Sequence, residues 1–215
     1  MFTKLLGSKR KITEIALLMG MIVTVFAQGV CAYAENTENV TEDVFRLHIL
    51  ANSDSDEDQE LKLKVRDAVL DESGDIFDGA INADEAKQAA VKNTDAFLAA
   101  AEKVIRENGY DYDVECYVGK SYFDERTYGT ATLPEGTYDS LIITIGEGGG
   151  HNWWCVMYPA LCLPAVTNTD EVMQQAVSSG ILTEEEFDLI NNPDNYEVRL
   201  YIVEIVKKLF AKSCK

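Results

Sequence analysis

Histidine is almost missing from this chain: His48 and His151 are the only two in 215 residues. That scarcity removes most of the donors for general acid–base work near neutral pH, and most of those for a zinc site, which needs three or four ligands. The five cysteines do not make up the shortfall, because neither a CxxC nor an HxxxH spacing occurs. No metal or cofactor is expected. Basic residues are short as well: 19 Lys and Arg face 37 Asp and Glu, for a net charge of −18 at pH 7. Such a surface argues against nucleic acid and anionic membrane surfaces as partners. There are only four prolines, no internal repeat and no low-complexity linker, which suits one domain.

Long hydrophobic runs are absent except at the start. Lys4, Lys9, Arg10 and Lys11 form a basic front, an apolar run extends from Ile15 to Val30, and Ala32-Tyr33-Ala34 places small residues where a signal peptidase reads. That is the layout of a secretory signal. The run is a little shorter than the roughly 20 residues of a comfortable transmembrane span, although an uncleaved anchor is the alternative. Gln28 stands where a lipoprotein signal wants an aliphatic residue, so Cys31 is not read as a lipid anchor. The expected organisation is a signal over 1–34, a flexible segment over 35–43 and one domain over 44–215. Removing the leader takes four of the 19 basic residues but one of the 37 acidic ones, so the exported part is more acidic still.

Val44–Leu50 alternates as a strand. Asn52–Asp58 turns the chain and caps a helix whose stripe is Leu61, Val65, Ala68 and Val69. Asn82 with Glu85 starts a second helix, with Ile81 and Ala86 as a hydrophobic staple; its stripe includes Phe97, Ala101 and Ile105, and Asn108-Gly109 ends it. Strands are expected over 112–118, 138–145 and 153–157, and a loop over 129–136. Short helices follow over 170–177 and 184–190, the second capped by Thr183 with Glu186, then a strand over 198–203 and a tail helix over 204–212. Helices do not link the central strands, so the fold class is α+β, a single-domain sandwich with a mainly antiparallel sheet and packed helices.

Four candidate chemistries find no support in the residues. Asn52–Asp58 is not a calcium loop, since its sixth and twelfth positions are Glu57 and Leu63 counted from Asn52, or Gln59 and Val65 from Asp54. Gly146–Gly150 lacks the lysine and following helix of a phosphate cradle and reads as a glycine hairpin between strands. His151 and Cys155 on one extended segment stand roughly 13 Å apart, too far for proton transfer; His48 is the other imidazole within conceivable reach of Cys155. Paired carboxylates carry no signal in so acidic a chain. No catalytic residue is assigned, and the chain is expected not to be an enzyme. In an exported protein Cys116, Cys155, Cys162 and Cys214 can oxidise, with three full pairings open. Cys155 and Cys162 are the disulfide candidate, because closing so short a loop around Tyr158-Pro159 removes about 2.5 kcal/mol of denatured-state entropy.

Two stretches carry a resemblance. "FRLHILANSDSDEDQELKLKVRDAVL" (45–70) and "YGTATLPEGTYDSLIITIGEGGGHNWWCVMYPALC" (128–162) resemble the two signatures of the stage II sporulation protein R family. The departure is Tyr158-Pro-Ala-Leu-Cys162, where the family commonly shows Phe-Pro-Pro-Leu-Cys. The resemblance implies a sporulation signal made in the forespore and secreted across its membrane into the space between the septal membranes. There it would bind a membrane-embedded aspartic protease of the stage II sporulation protein GA type and trigger cleavage of the pro-form of sigma factor E. It implies no nucleic acid and no small-molecule substrate. Within the signatures, His48, Asn52, Asp54, Asn152, Trp153 and Trp154 are the partner-binding candidates, the tryptophans because indoles commonly anchor interfaces. The alternative is a secreted Cys/His-dependent hydrolase acting on cell-envelope material.

Cleavage is expected after Ala34. N-terminal sequencing of the exported protein then begins at Glu35; an exported protein still beginning at Met1 contradicts it.

Overall fold

The computed structural model describes residues 2–160 and 169–192. The expected strand over 198–203, the tail helix over 204–212, Cys162 and Cys214 lie outside them. The chain divides into two compact units, residues 1–36 with 192–215, and residues 37–191. The first is represented by most of α1 (Phe2–Glu42), whose apolar side chains, from Ile15 through Ile22, expose more than half their surface. By length and composition this helix can cross a membrane, a test that a signal sequence near an N-terminus also passes. The last turn of α1 belongs to the second unit. Within the segment expected to be loose, residues 35–42 are helical, and Val40 is fully buried.

The second unit is built on a four-stranded sheet of β1 (Phe45–Leu50), β2 (Val114–Phe123), β5 (Gly136–Ile145) and β6 (Asn152–Tyr158), in the order β2-β5-β1-β6. β1 runs parallel to β5 and antiparallel to β6, and β2 is antiparallel to β5. The α+β architecture with a mainly antiparallel sheet is as expected. β1 and β5 are central and bury both faces, so their sequences are more apolar than those of strands with one wet face.

Alternation divides the side chains between two faces. Phe45, Leu47, Ile49, Leu141, Ile143, Cys155 and Met157 point to one side, beneath α2 (Asp56–Ile76), α3 (Ala83–Lys92) and α4 (Thr94–Glu107). Leu61, Val65 and Val69 of α2 and Phe97, Ala101 and Ile105 of α4 complete this core. Ser55 caps α2, accepting from the Asp58 amide at 3.2 Å, and Asn82 caps α3, accepting from the Glu85 amide at 2.8 Å. The staple does not form, because Ile81 is exposed. The single helix expected from 82 to 108 is broken in two. At the break the Asn93 and Thr94 side chains bond back to the carbonyls of Ala89 and Ala90, and such back-bonding bends helices.

The opposite face carries Arg46, His48, Tyr138, Ser140, Ile142, Ser121, Phe123, Trp154 and Val156. The segment expected to be a loop contributes a hairpin there, β3 (Arg126–Tyr128) with β4 (Ala131–Leu133). Gly129, at φ 62°, supplies the positive φ of its two-residue turn. α5 (Thr169–Ser178) and α6 (Glu184–Asn191) pack against β4. The capping box of α6 forms as expected, with Glu186 accepting from the Thr183 amide at 2.6 Å and Thr183 accepting from the Glu186 amide at 3.2 Å.

Glu186 is buried, and Asp43, just beyond α1, stands against it. Burial first, and the Glu186 charge second, push the Asp43 carboxyl up to about 6. The folded state thus keeps a proton that the unfolded chain, with an ordinary aspartate, releases at lower pH. Its contribution to stability is complete below the ordinary carboxylate range and is lost as pH rises through about 6. Asp43→Asn, which mimics the protonated form, should flatten the pH dependence of urea unfolding between about pH 4 and 6 and stabilise the protein above that window.

Candidate functional site

The glycine stretch is not a hairpin. Because β1 lies between β5 and β6, residues 146–151 must cross the end of β1. They do so in direct backbone contact with the β1–α2 turn, where the Gly149 amide donates to the Asn52 carbonyl at 3.2 Å and the Gly150 amide to the Ala51 carbonyl at 3.0 Å. The glycines are there for clearance. A Cβ on Gly150 would stand 2.2 Å from the Ser53 carbonyl oxygen, and one on Gly146, at φ 55°, 2.2 Å from Asn52 Oδ1. Asn52 Oδ1 in turn accepts from the Glu147 amide at 3.1 Å.

Below the crossing lies a polar core. Asp58 accepts from Asn52 Nδ2 at 2.9 Å and from Ser53 Oγ at 2.5 Å. Burial works against its charge, but the hydrogen bonds from Ser53, Asn52, Tyr112 and Ser55 outweigh that and hold its pKa below the ordinary value. Lys62, also buried, donates to the His151 carbonyl at 2.8 Å and to Gln59 Oε1 at 2.5 Å. Two stretches nearly a hundred residues apart thus form one structure at the end of the sheet.

Arg46 anchors the neighbouring face. Its side chain is wholly buried with no salt-bridge partner among the described residues. Aromatic rings replace the missing carboxylate: the guanidinium carbon lies 3.9 Å from the Phe123 ring centroid and 4.7 Å from that of Tyr138, contacts that stabilise a desolvated cation. Arg46 also donates to Tyr128 Oη at 2.6 Å, and Tyr128 donates to the Trp154 carbonyl at 3.2 Å. Burial lowers the Arg46 pKa and raises those of Tyr128 and Tyr138. This cluster ties the β3–β4 hairpin to β1 and β6.

The six partner-binding candidates fall into distinct positions. Trp153 points to the helical face, packed on the core with the Arg66 guanidinium 4.6 Å from its ring. Trp154 points to the other face, half-buried, with Arg126 at 4.4 Å. His48 is paired with Trp154 across the strands and makes a 2.9 Å hydrogen bond through Nδ1 with Ser121 Oγ. Burial lowers its pKa, with Asn152 nearby opposing that, while Nε2 is buried without a hydrogen bond. Asn52 is occupied in the crossing. Asp54 is exposed and takes both the His151 amide, at 2.6 Å, and His151 Nδ1, at 2.5 Å, on one oxygen. Those bonds hold its pKa below the ordinary value. Asn152 is exposed beside them.

Asp54, His151, Asn152, Trp154, Gly149, Gly150 and Arg126 line one open pocket of about 340 Å³. Sequence reasoning missed Arg126 and Ser121. Arg126 follows two acids in a short hairpin that alternation does not reveal, and Ser121 lies beyond the expected end of its strand.

His48 and Cys155 cannot act together, since Cys155 is paired with Leu47 and points to the opposite face. Cys155 is buried and is not a free thiol; Cys31 and Cys116 are free. Burial, with Asp95 second, pushes the Cys116 thiol up to about 12, the reverse of an activated nucleophile. No disulfide joins two described cysteines. Among the described residues no cluster of three or more His, Cys, Asp or Glu has the geometry to hold a metal.

Both stretches of the crossing fall within residues 41–168, which match the family model described as stage II sporulation protein R. The chain belongs to the stage II sporulation protein R family. A curated relative from the family, stage II sporulation protein R of Bacillus subtilis (strain 168), is 31% identical over 211 residues, which cover 91% of this chain and 94% of the relative. No solved structure matches the chain.

The crossing sets a clear contrast between glycines. Gly150→Ala must displace backbone and should cost about 2 kcal/mol in urea unfolding. Gly74→Ala, in α2 with nothing within 4 Å of the added Cβ, should instead stabilise by about 0.7 kcal/mol. Equal effects at the two positions would refute the crossing geometry.

Proposed function

We propose that this sporulation protein is an exported signal that binds and activates a membrane-embedded aspartic protease of the stage II sporulation protein GA type. Activation would release processing of the pro-form of sigma factor E in the mother cell, and the protein would act from the space between the septal membranes. Membership of the family supports the sporulation role, and the apolar α1 fits an export signal or an anchor. The observation that carries activation by binding is the sheet end itself. There both signature stretches meet in one hydrogen-bonded turn, and Asp54, His151, Asn152 and the half-buried Trp154 line the open pocket beside it.

Binding alone is sufficient for activation if the active form of the partner is bound more tightly than the inactive one. A 100-fold difference is about 2.7 kcal/mol, within reach of one or two aromatic anchors. Trp154 suits that part better than Trp153, which is committed to the helical core. The Cys/His-dependent hydrolase gains no support, since His48 and Cys155 lie on opposite faces. One observation favours a different, Ser/His-dependent hydrolase as the second reading, the hydrogen bond between His48 and Ser121, though neither residue lines the pocket.

Reconstitution decides between them, with the protease and its pro-sigma substrate co-expressed in a host lacking other sporulation proteins. His48→Ala, Ser121→Ala and Cys155→Ser, each confirmed folded, should retain processing in part. Trp154→Ala should require about tenfold more protein for half-maximal processing and recover in excess. Abolition at every concentration by a folded His48 or Ser121 variant would favour hydrolysis.

We also propose that Cys155 pairs with Cys162. Peptide mapping without reduction should recover the two on linked peptides. Recovery of Cys155 joined to Cys214, or of free thiols at both positions, would count against it.

A further inference from the structure

The pocket at the end of the sheet has a chemical preference. The Arg126 guanidinium carbon lies over the Trp154 indole, 4.4 Å from the ring centroid, and a guanidinium so placed still has N–H donors to offer another group. No carboxylate among the described residues is paired with it, although the chain has nearly two acids for each base. The acid in the same lining, Asp54, is turned to the His151 amide and ring instead. Asn152 adds a side-chain amide to the wall, and its volume of about 340 Å³ lies at the small end of ligand-pocket sizes.

We infer that this pocket receives the carboxylate of an Asp or Glu side chain on an extracytoplasmic segment of the partner protein. Arg126 forms the planar, two-pronged contact that a guanidinium makes with a carboxylate, and the Trp154 ring holds it in place. Elsewhere the strongly negative surface repels an acidic segment, so this pocket fixes where and in which orientation the partner docks. The inference rests on the activation-by-binding reading and names the group recognised.

The test is a charge exchange in the reconstituted processing system. Arg126→Glu, on an exposed side chain, should raise the protein needed for half-maximal processing at least tenfold; Arg126→Lys should fall between. Lys103→Glu, on the exposed surface of α4, should change it less than twofold. Each extracytoplasmic Asp and Glu of the partner is then changed to Lys in turn. One such change should impair processing with the unaltered chain and be rescued by Arg126→Glu. In parallel, synthetic peptides of those segments are titrated against the exported protein by tryptophan fluorescence. The acidic form should bind at least tenfold more tightly than its Gln or Asn counterpart, and Arg126→Ala should abolish the difference. If the unaltered chain triggers processing, Arg126→Glu matches it at equal concentration and no exchange rescues, the carboxylate contact is overturned and activation by binding stands. If the unaltered chain triggers no processing and no peptide binds, both fall.

Discussion

The crossing of the glycine segment over the β1–α2 turn is the contact on which the rest depends. β1 is hydrogen-bonded along one edge to β5 and along the other to β6, and that order obliges the chain to pass over the end of β1. The passage is possible only where backbone meets backbone, at Gly149 and Gly150 against Ala51, Asn52 and Ser53. Once made, it aligns the cap of α2, buries Asp58 and Lys62 with hydrogen-bond partners, and places His151 against Asp54. Satisfying buried polar groups in this way gives a loop-built surface the rigidity usually found in regular elements.

Arg46 makes the second tie. A buried cation without an acid is costly, and here rings and the Tyr128 hydroxyl offset that cost. Because Tyr128 also reaches the Trp154 carbonyl, the same cluster fixes the β3–β4 hairpin and with it Arg126 beside Trp154. The pocket therefore stands between two rigid supports, the crossing on one side and the Arg46 cage on the other.

Much of this was legible in the residues. Alternation located β1, β5 and β6, and the side-chain chemistry of Asn82 and Thr183 located the starts of α3 and α6. Strand order was not legible, because a glycine run between two strands has the same local pattern whether it closes a hairpin or crosses a third strand. The split between α3 and α4 was hidden as well, since Asn93 and Thr94 break a helix only through bonds back to the preceding turn. The two indoles could not be assigned to faces until the pairing of β6 with β1 set the register. Arg126 carried no signal of its own, because its significance lies in what stands across from it.

The central claim is that the partner is met at this end of the sheet and not on the helices. Site-specific photo-crosslinking with the co-expressed protease tests it most directly, with the reactive side chain placed at Asn152 in one protein and at Lys103 on α4 in another. The account predicts a covalent adduct with the protease from position 152 and none from position 103; an adduct from 103 alone would contradict it.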